Sequence, residues 1–238
     1  MKKILFNSFS LLSTLVLIFT FVSCKHTDST EGEKDNLWDW ICGCETEVAP
    51  MKIILVPLDG MKDSQIRKLK KDFEENYDSI FDKSCEVEIL DKVATPNVCL
   101  NKKYNRFEAG KMISFLTDEY STIAKTKAEN FSDYYIIGVT NKDISTPLHG
   151  KENYGILGLS TLGGKVSVIS TFRLPRQKDL WKLALHEYGH GYFRLNHCSE
   201  DNSSCIMADA KGGNPHFELK ETFCKVCFNK ALKKNKIF

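Results

Sequence analysis

Compact apolar runs alternate with amphipathic stretches in the first half of the chain beyond residue 50. Residues 51–58 and 134–139 are almost continuously apolar, as is typical of buried strands, and residues 85–90 alternate as a half-buried strand does. Between them, residues 63–77 and 107–123 carry apolar side chains at helical spacing. This strand–helix–strand–helix–strand order predicts an α/β domain with a mainly parallel, twisted sheet.

The following part of the chain predicts a hairpin and two more helices. Residues 154–159 and 165–170 flank a turn that contains two adjacent glycines, a pattern that predicts a hairpin with one antiparallel strand at the sheet edge. Residues 177–192 then have a strongly helical pattern. Beyond them the chain is irregular until a second helical stretch at residues 218–234, so we expect an α+β domain that ends in a small C-terminal subdomain.

The first 23 residues differ from the rest and predict an export signal. Residues 21–24 (FVSC) resemble a bacterial lipobox, so Cys24 is the expected site of a lipid anchor to a membrane. Plain secretion and an uncleaved membrane anchor are the alternatives. All three export the domain, and the lipid anchor would hold it in the bacterial cell envelope, facing the periplasm or the cell surface. Residues 24–49 are expected to form a tether, and residues 50–238 the folded domain.

The charge balance argues against nucleic acid as a partner. Lys plus Arg number 33 and Asp plus Glu 31, so the formal net charge is +2 and no strong field attracts a polyanion. The basic stretch at residues 225–236 is interpreted as the solvated face of a helix. We therefore expect no nucleic-acid partner.

The stretch HEYGH at residues 186–190 carries the clearest chemical signal. On a helix, His186 and His190 are four residues apart and face the same direction. Two neutral imidazoles at that spacing can take two corners of a zinc tetrahedron, with Glu187 beside the metal as a general base. His197 follows shortly afterwards and enlarges the cluster. The pattern predicts a zinc hydrolase.

Four of the nine cysteines accompany these histidines. They are Cys198, Cys205, Cys224 and Cys227. The spacing of the last two is that of a zinc knuckle, which places two thiolates on one metal ion. Two disulfides are the alternative, because an exported location favours them. Outside this group and Cys24, four more cysteines could form disulfides. They are Cys42, Cys44, Cys85 and Cys99, of which the last two make the simplest pair.

The succession HExxH, HC, CxM and CxxC resembles the metzincin zinc peptidases and, within them, the archaemetzincins, over about residues 50–228. The motif of that family is HExxHxxGxxHC, then CxxxxCxM, then CxxC. The resemblance implies a metzincin-like fold with an active-site helix and a C-terminal subdomain stabilised by zinc. It also implies two Zn²⁺ ions per chain, one catalytic and one structural, and a peptide or protein substrate on the edge strand of the hairpin.

The resemblance also assigns a role to each motif residue. The catalytic zinc would be bound by His186, His190 and His197. Glu187 would be the general base, and Met207 would be the Met-turn residue beneath the metal. The structural zinc would be bound by Cys198, Cys205, Cys224 and Cys227. The implied function is hydrolysis of peptide bonds through a zinc-bound water. An exported zinc- or peptide-binding lipoprotein with little or no catalytic activity is the alternative.

The chain departs from the family motif between the second and third histidines. Phe193 stands at the position of the family glycine, and one extra residue precedes His197. Six residues also separate Cys198 from Cys205, where the family has four. Phe193 could adopt the left-handed conformation of that glycine only at a free-energy cost of about 1–2 kcal/mol. We therefore assign the insertion to the turn, with Asn196 as the residue that tolerates left-handed φ, and keep His197 as the ligand. Asn196 as an oxygen ligand is the alternative.

Overall fold

The computed structural model describes residues 51–200, 202–210 and 216–235. The predicted signal, the candidate lipid site Cys24 and the tether with Cys42 and Cys44 lie outside these residues, so those assignments stay predictions. Within the described ranges, no helix combines the length and the apolar character that crossing a membrane requires.

The described residues form two sheets and four α-helices. The strands are β1 (Met51–Pro57), β2 (Cys85–Ile89), β3 (Leu100–Asn101), β4 (Arg106–Glu108), β5 (Asp133–Thr140), β6 (Ile144–Leu148), β7 (Lys151–Ile156), β8 (Gly158–Ser160) and β9 (Val166–Ser170). The helices are α1 (Asp63–Phe81), α2 (Ala109–Lys127), α3 (Leu180–Gly191) and α4 (Lys225–Asn235). Short 3₁₀ turns precede β3 and α3.

The main sheet has the strand order β2-β1-β5-β9-β8. The first three pairings are parallel, and β8 pairs antiparallel with β9 at one edge. Every residue of β1 is buried, as expected for a central parallel strand that is covered on both faces. The predicted parallel sheet with an antiparallel edge strand is therefore confirmed.

A second sheet, of order β3-β4-β6-β7, was not predicted from the sequence pattern. Its last strand, β7, pairs antiparallel with β6 and ends at Ile156. β8 begins at Gly158, so residues 154–159, which the pattern assigns to one strand, belong to two sheets. Only Leu157 separates them. The edge strands of the two sheets are thus consecutive in the chain.

Two hydrophobic clusters occupy the two faces of the main sheet. On β1, Ile53 and Leu55 belong to one cluster while Ile54 and Val56 belong to the other, as the alternation of side chains along a strand requires. Residues of α1 and α3 complete the first cluster, and residues of α2 complete the second. The sheet is therefore covered by helices on both faces.

Cys85 and Cys99, the simplest of the candidate disulfide pairs, are not bonded to each other, because both thiols are free. Cys85 packs in the cluster covered by α1, whereas Cys99 packs with Met112 and Leu116 of α2 in the other cluster. The sheet lies between the two cysteines. Closeness in sequence does not reveal on which side of a sheet a side chain is buried.

Tyr188 fixes the position of α3 against the sheet. Its fully buried ring contacts the rings of Phe73, Tyr77 and Tyr135 at centroid distances of 6.1, 6.0 and 5.1 Å. On a helix, residue 188 faces away from residues 186 and 190. Anchoring of the tyrosine face therefore directs His186 and His190 away from the core.

Candidate active site

Three histidines converge at the end of α3. Ligand nitrogens of His186, His190 and His197 all lie within 4.8 Å of one another. The Nδ1 atoms of His186 and His190 lie 2.7 and 2.6 Å from the carbonyl oxygens of Ile206 and Leu195. A carbonyl only accepts hydrogen bonds, so each Nδ1 carries the proton and each Nε2 presents a lone pair.

The two Nε2 lone pairs face each other at 3.1 Å. With no proton between them they repel, and a cation that both nitrogens bind removes this repulsion. Tetrahedral zinc with Zn–N bonds of 2.0–2.1 Å would place its nitrogen ligands roughly 3.3 Å apart. Burial also lowers the pKa of His186, well below its usual value, and that of His190. The rings are therefore neutral near pH 7, and the site fits a zinc ion.

His197 reaches this cluster through a turn that differs from the one expected. The left-handed residue is Arg194, with φ of 56°, and neither Phe193 nor Asn196 has positive φ. Phe193 instead remains in the core, where it is 3% exposed. The Leu195 amide donates to the carbonyl of Gly189 at 3.0 Å, which closes a turn one residue wider than a Schellman closure. The insertion is absorbed in this turn.

Counted back from His197, Arg194 occupies the position that the family motif gives to glycine. A non-glycine residue at positive φ costs about 1–2 kcal/mol. We therefore expect Arg194→Gly to raise the free energy of unfolding by about 0.5–1 kcal/mol, the gain being reduced by the greater freedom of glycine in the unfolded chain. Chemical denaturation of the zinc-loaded protein measures the change.

Arg194→Ala is the matched control for this prediction. It removes the same side chain but keeps a Cβ at positive φ, so it should give no gain in stability. Equal stabilities of the glycine and alanine variants would mean that the turn at Arg194 is not strained.

Glu187 lies next to the edge strand of the main sheet. Its side chain is 5% exposed, and burial raises its pKa to about 8. A Cβ placed on Gly158 of β8 would lie 2.4 Å from Glu187 Oε1, so the glycine leaves the space that the carboxylate fills. The Tyr135 hydroxyl donates to the backbone oxygen of Glu187 at 3.1 Å and holds the helix at this distance.

The four predicted cysteines form a second cluster. Their sulfur atoms all lie within 4.8 Å of one another, and all four are free thiols, so the alternative of two disulfides is not realised. The sulfurs of Cys198 and Cys224 are 3.6 Å apart. A disulfide needs about 2.05 Å. Four thiolates at 2.3 Å from one zinc would be roughly 3.8 Å apart, so the cluster fits a metal ion.

Met207 lies between the two clusters and is fully buried. A Cβ on Gly189 of α3 would come within 2.5 Å of the Met207 sulfur, so the helix packs directly on this residue. The Met207 carbonyl accepts the amide hydrogen of Cys198 at 2.8 Å. Met207 therefore connects the helix that carries the histidines to the cysteine cluster.

Sequence reasoning missed two charged residues at this site. Lys220 is 1% exposed and donates to the carbonyls of Ile206 and Ala208, on either side of Met207. Burial lowers its pKa to about 8. Asp209 Oδ2 lies 3.7 Å from His197 Nδ1. No pattern marks either residue, because each acquires its role only through a fold of the irregular C-terminal segment.

A cleft of about 1270 Å³ opens in front of the histidines. One wall is formed by residues 153–160, which comprise the end of β7, Leu157 and β8, and the floor by His186, Glu187 and His190. Phe217 and Lys220 also line the cleft. The predicted edge strand therefore borders the same cleft as the histidines.

Comparison with known proteins agrees with this arrangement. No family profile matches the chain. It is 27% identical over 158 residues to an archaemetzincin of Haloquadratum walsbyi, and the match covers 60% of this chain and 81% of that protein. The crystal structure of the archaemetzincin of Methanopyrus kandleri superposes with a TM-score of 0.63 at 22% identity and covers 79% of this chain and 96% of that chain.

The archaemetzincin of Archaeoglobus fulgidus, solved as a malonate complex, superposes with a TM-score of 0.55 at 25% identity, covering 76% of this chain and 99% of that chain. Shared fold, related sequence and assembled histidine and cysteine clusters point to the same chemistry. The chain is an archaemetzincin-like zinc metallopeptidase.

Proposed function

We propose that the protein hydrolyses peptide bonds in an extended chain laid along β8, with Glu187 as the general base and with zinc bound by His186, His190 and His197. The observation that carries the proposal is the convergence of two imidazole lone pairs beside a buried carboxylate on the floor of an open cleft. A site for metal binding alone has no use for a base at this position.

Each residue has a defined task in this reaction. When bound, zinc would supply a Lewis acid that lowers the pKa of water to near 7 and polarises the scissile carbonyl. Glu187 accepts the proton of the attacking water and delivers it to the leaving amine. The hydrogen bonds from His186 and His190 to backbone carbonyls hold both rings so that their Nε2 lone pairs face the space where the ion would bind.

The edge of the main sheet supports binding of an extended substrate. β8 is the last strand of that sheet, so its outer edge is open to main-chain pairing with a peptide. Gly158 of this strand lies against the Glu187 carboxylate, which brings the backbone of a paired peptide close to the base. Pairing through the main chain makes binding independent of any single side chain.

We also propose a second, structural zinc at Cys198, Cys205, Cys224 and Cys227, which gives two zinc ions per chain. The spacing of the sulfurs supports it. Its ligands belong to the segment that follows His197 and to the start of α4. The ion would therefore fasten the irregular C-terminal segment to α4.

Metal content together with peptide cleavage tests the proposed function. We expect two zinc ions per chain by elemental analysis, and cleavage of a peptide library that a chelator abolishes. His197→Ala should leave one zinc and no cleavage, because two imidazoles bind the catalytic ion far more weakly than three.

His216→Ala is the control, since this histidine pairs with Glu218, does not line the cleft and is not one of the three that converge. It should keep two zinc ions and full activity. A single zinc that survives His197→Ala, with no cleavage by the wild-type protein, would overturn the proposal and favour a binding protein.

A further inference from the structure

Two arginines share one carboxylate at one end of the cleft. This end is the one that the second sheet borders. Asp143 accepts a hydrogen bond from Arg106 Nε at 2.8 Å, and from Arg173 Nε and Nη2 at 2.7 and 2.8 Å. Arg106 Nη1 also donates to the carbonyl of Asn153 at 3.1 Å. The two guanidinium groups and the single carboxylate therefore have a net charge of +1.

These contacts hold the guanidinium groups in place but leave donors unused. Within the described part of the chain, Arg106 Nη2 and Arg173 Nη1 donate to no protein acceptor. The Asp143 side chain is only 14% exposed, whereas those of Arg106 and Arg173 are 29 and 35% exposed. Both arginines line the cleft, and Asp143 lies behind them. The cationic side of the group thus faces the space that a substrate enters.

Gly155 on β7 makes the position of Arg173 possible. A Cβ at residue 155 would lie 2.5 Å from the central carbon of the guanidinium, so the planar group lies directly against the backbone of this edge strand. A peptide that continues along β7 would pass beside the guanidinium. The arginine is therefore fixed before any ligand binds, which reduces the entropy lost on binding.

The balance of charge in the cleft favours an anion. Its lining contains Arg106, Lys151, Arg173 and Lys220 as cations, against Glu187 and Asp209 as acids. Both acids lie at the histidine end: Glu187 follows His186 directly, and Asp209 lies near His197. The end near β7 is lined by Arg106, Lys151 and Arg173, and Asp143 behind the arginines offsets one of these three charges.

The distance from the base to this group can be counted along the edge. Gly158 lies against the carboxylate of Glu187, and Gly155 lies against the guanidinium of Arg173. Three residues of extended chain span roughly 10 Å. A peptide paired with this edge would therefore present to Arg173 a residue about three positions from the bond that is cleaved.

We propose that Arg106 and Arg173 form a subsite for a carboxylate of the substrate peptide, about three residues from the scissile bond. The subsite deepens the proposed function and rests on it, since it requires a peptide that continues from β8 along β7. The carboxylate comes from an acidic side chain or from the C-terminus of the peptide. Both sources offer the same planar anion, which matches the fork of N–H donors of a guanidinium.

The test compares pairs of peptides with an amidated C-terminus. The two peptides of a pair differ only by Glu or Gln at the residue three positions from the scissile bond, and one pair is used for each side of the bond. We expect wild-type kcat/KM to favour the Glu peptide by about five- to tenfold on one side, as for a partly exposed charge-assisted pair. Arg173→Gln and Arg106→Gln should each reduce this ratio to within about twofold. Because the ratio compares two substrates on one enzyme, a partly unfolded variant still reports it.

Lys103→Gln is the matched control. It removes an exposed positive charge that pairs with Glu152 on β7 but does not line the cleft, so it should keep the wild-type ratio. A third peptide, with Gln at this position and a free C-terminus there, separates the two sources of carboxylate. A preference for this peptide alone would assign the subsite to the C-terminus.

The subsite is overturned if neither side shows a preference for Glu or for the free C-terminus, or if the preference survives both arginine variants. Binding of fluorescently labelled peptides to Glu187→Gln keeps this result separate from the proposed function. If no peptide is cleaved but the Glu peptide binds more tightly in an Arg173-dependent way, the peptidase fails and the subsite stands. If peptides are cleaved but the Glu peptide is not bound more tightly in an Arg173-dependent way, the peptidase stands and the subsite fails.

Discussion

Glu187→Gln should lower kcat by about 10²–10⁴-fold while the protein keeps its full zinc content. The amide has nearly the shape of the carboxylate, so it fits the space against Gly158 that a larger side chain would not. It cannot accept the proton of the attacking water. The zinc ligands are unchanged, because the rings of His186 and His190 are held by backbone carbonyls rather than by Glu187. Steady-state kinetics on the best library peptide, together with elemental analysis, measure both effects.

Glu152→Gln is the control for this variant. Glu152 lies on β7, its side chain is 79% exposed, and it does not line the cleft, so its loss should leave kcat unchanged. If Glu187→Gln retained activity within a factor of a few at full zinc content, another group would have to be the base. Loss of zinc together with activity would instead show that Glu187 supports the metal site.

The pattern of apolar residues predicted the main sheet and its helices because those elements are long enough to show a period. The same pattern did not reveal the second sheet, because β3 and β4 have only two and three residues and β6 contains Pro147 and no clear alternation. The pattern assigns residues 154–159 to a single strand because the stretch is extended throughout. A change of sheet at Leu157 alters the partners of the strand but not its pattern.

The residues of the candidate site divide in the same way. The histidines, Glu187, Met207 and the four cysteines occur in a spaced motif, so sequence alone could nominate them. Arg194 could not be identified as the left-handed residue, because an insertion can be absorbed at any position in the turn. The group formed by Arg106, Asp143 and Arg173 joins residues 30 and 37 positions apart, and no local pattern records such contacts. Burial and pairing across the fold create these features.

Cys227→Ser should remove the proposed structural zinc and also lower the zinc occupancy of the three-histidine site. The cysteine is buried, with 4% exposure, and contributes one of the four thiolates. Because serine is not among the usual zinc ligands, the variant leaves the ion with only three thiolates. Structural zinc contributes its binding free energy to folding, and we expect the free energy of unfolding to fall by more than about 3 kcal/mol. Chemical denaturation and elemental analysis measure the two effects, with total zinc falling clearly below one per chain.

The physical connection between the sites is short. Cys198 follows His197 directly, and its amide donates to the carbonyl of Met207. The carbonyl of Ile206, one residue earlier, accepts the Nδ1 proton of His186 and a hydrogen bond from Lys220. Release of the cysteine cluster therefore frees both the turn that carries the third histidine and the carbonyl that orients the first.

Cys99→Ser is the matched control, since Cys99 is fully buried and lies in the other hydrophobic cluster, away from the histidine and cysteine clusters. It should lose some stability but keep two zinc ions. If Cys227→Ser kept one zinc per chain that His197→Ala then removed, the catalytic site would be independent of the cysteine cluster. The hydrogen bonds through Met207 and Ile206 would then serve packing alone, and the C-terminal segment could be altered without affecting the chemistry of the histidines.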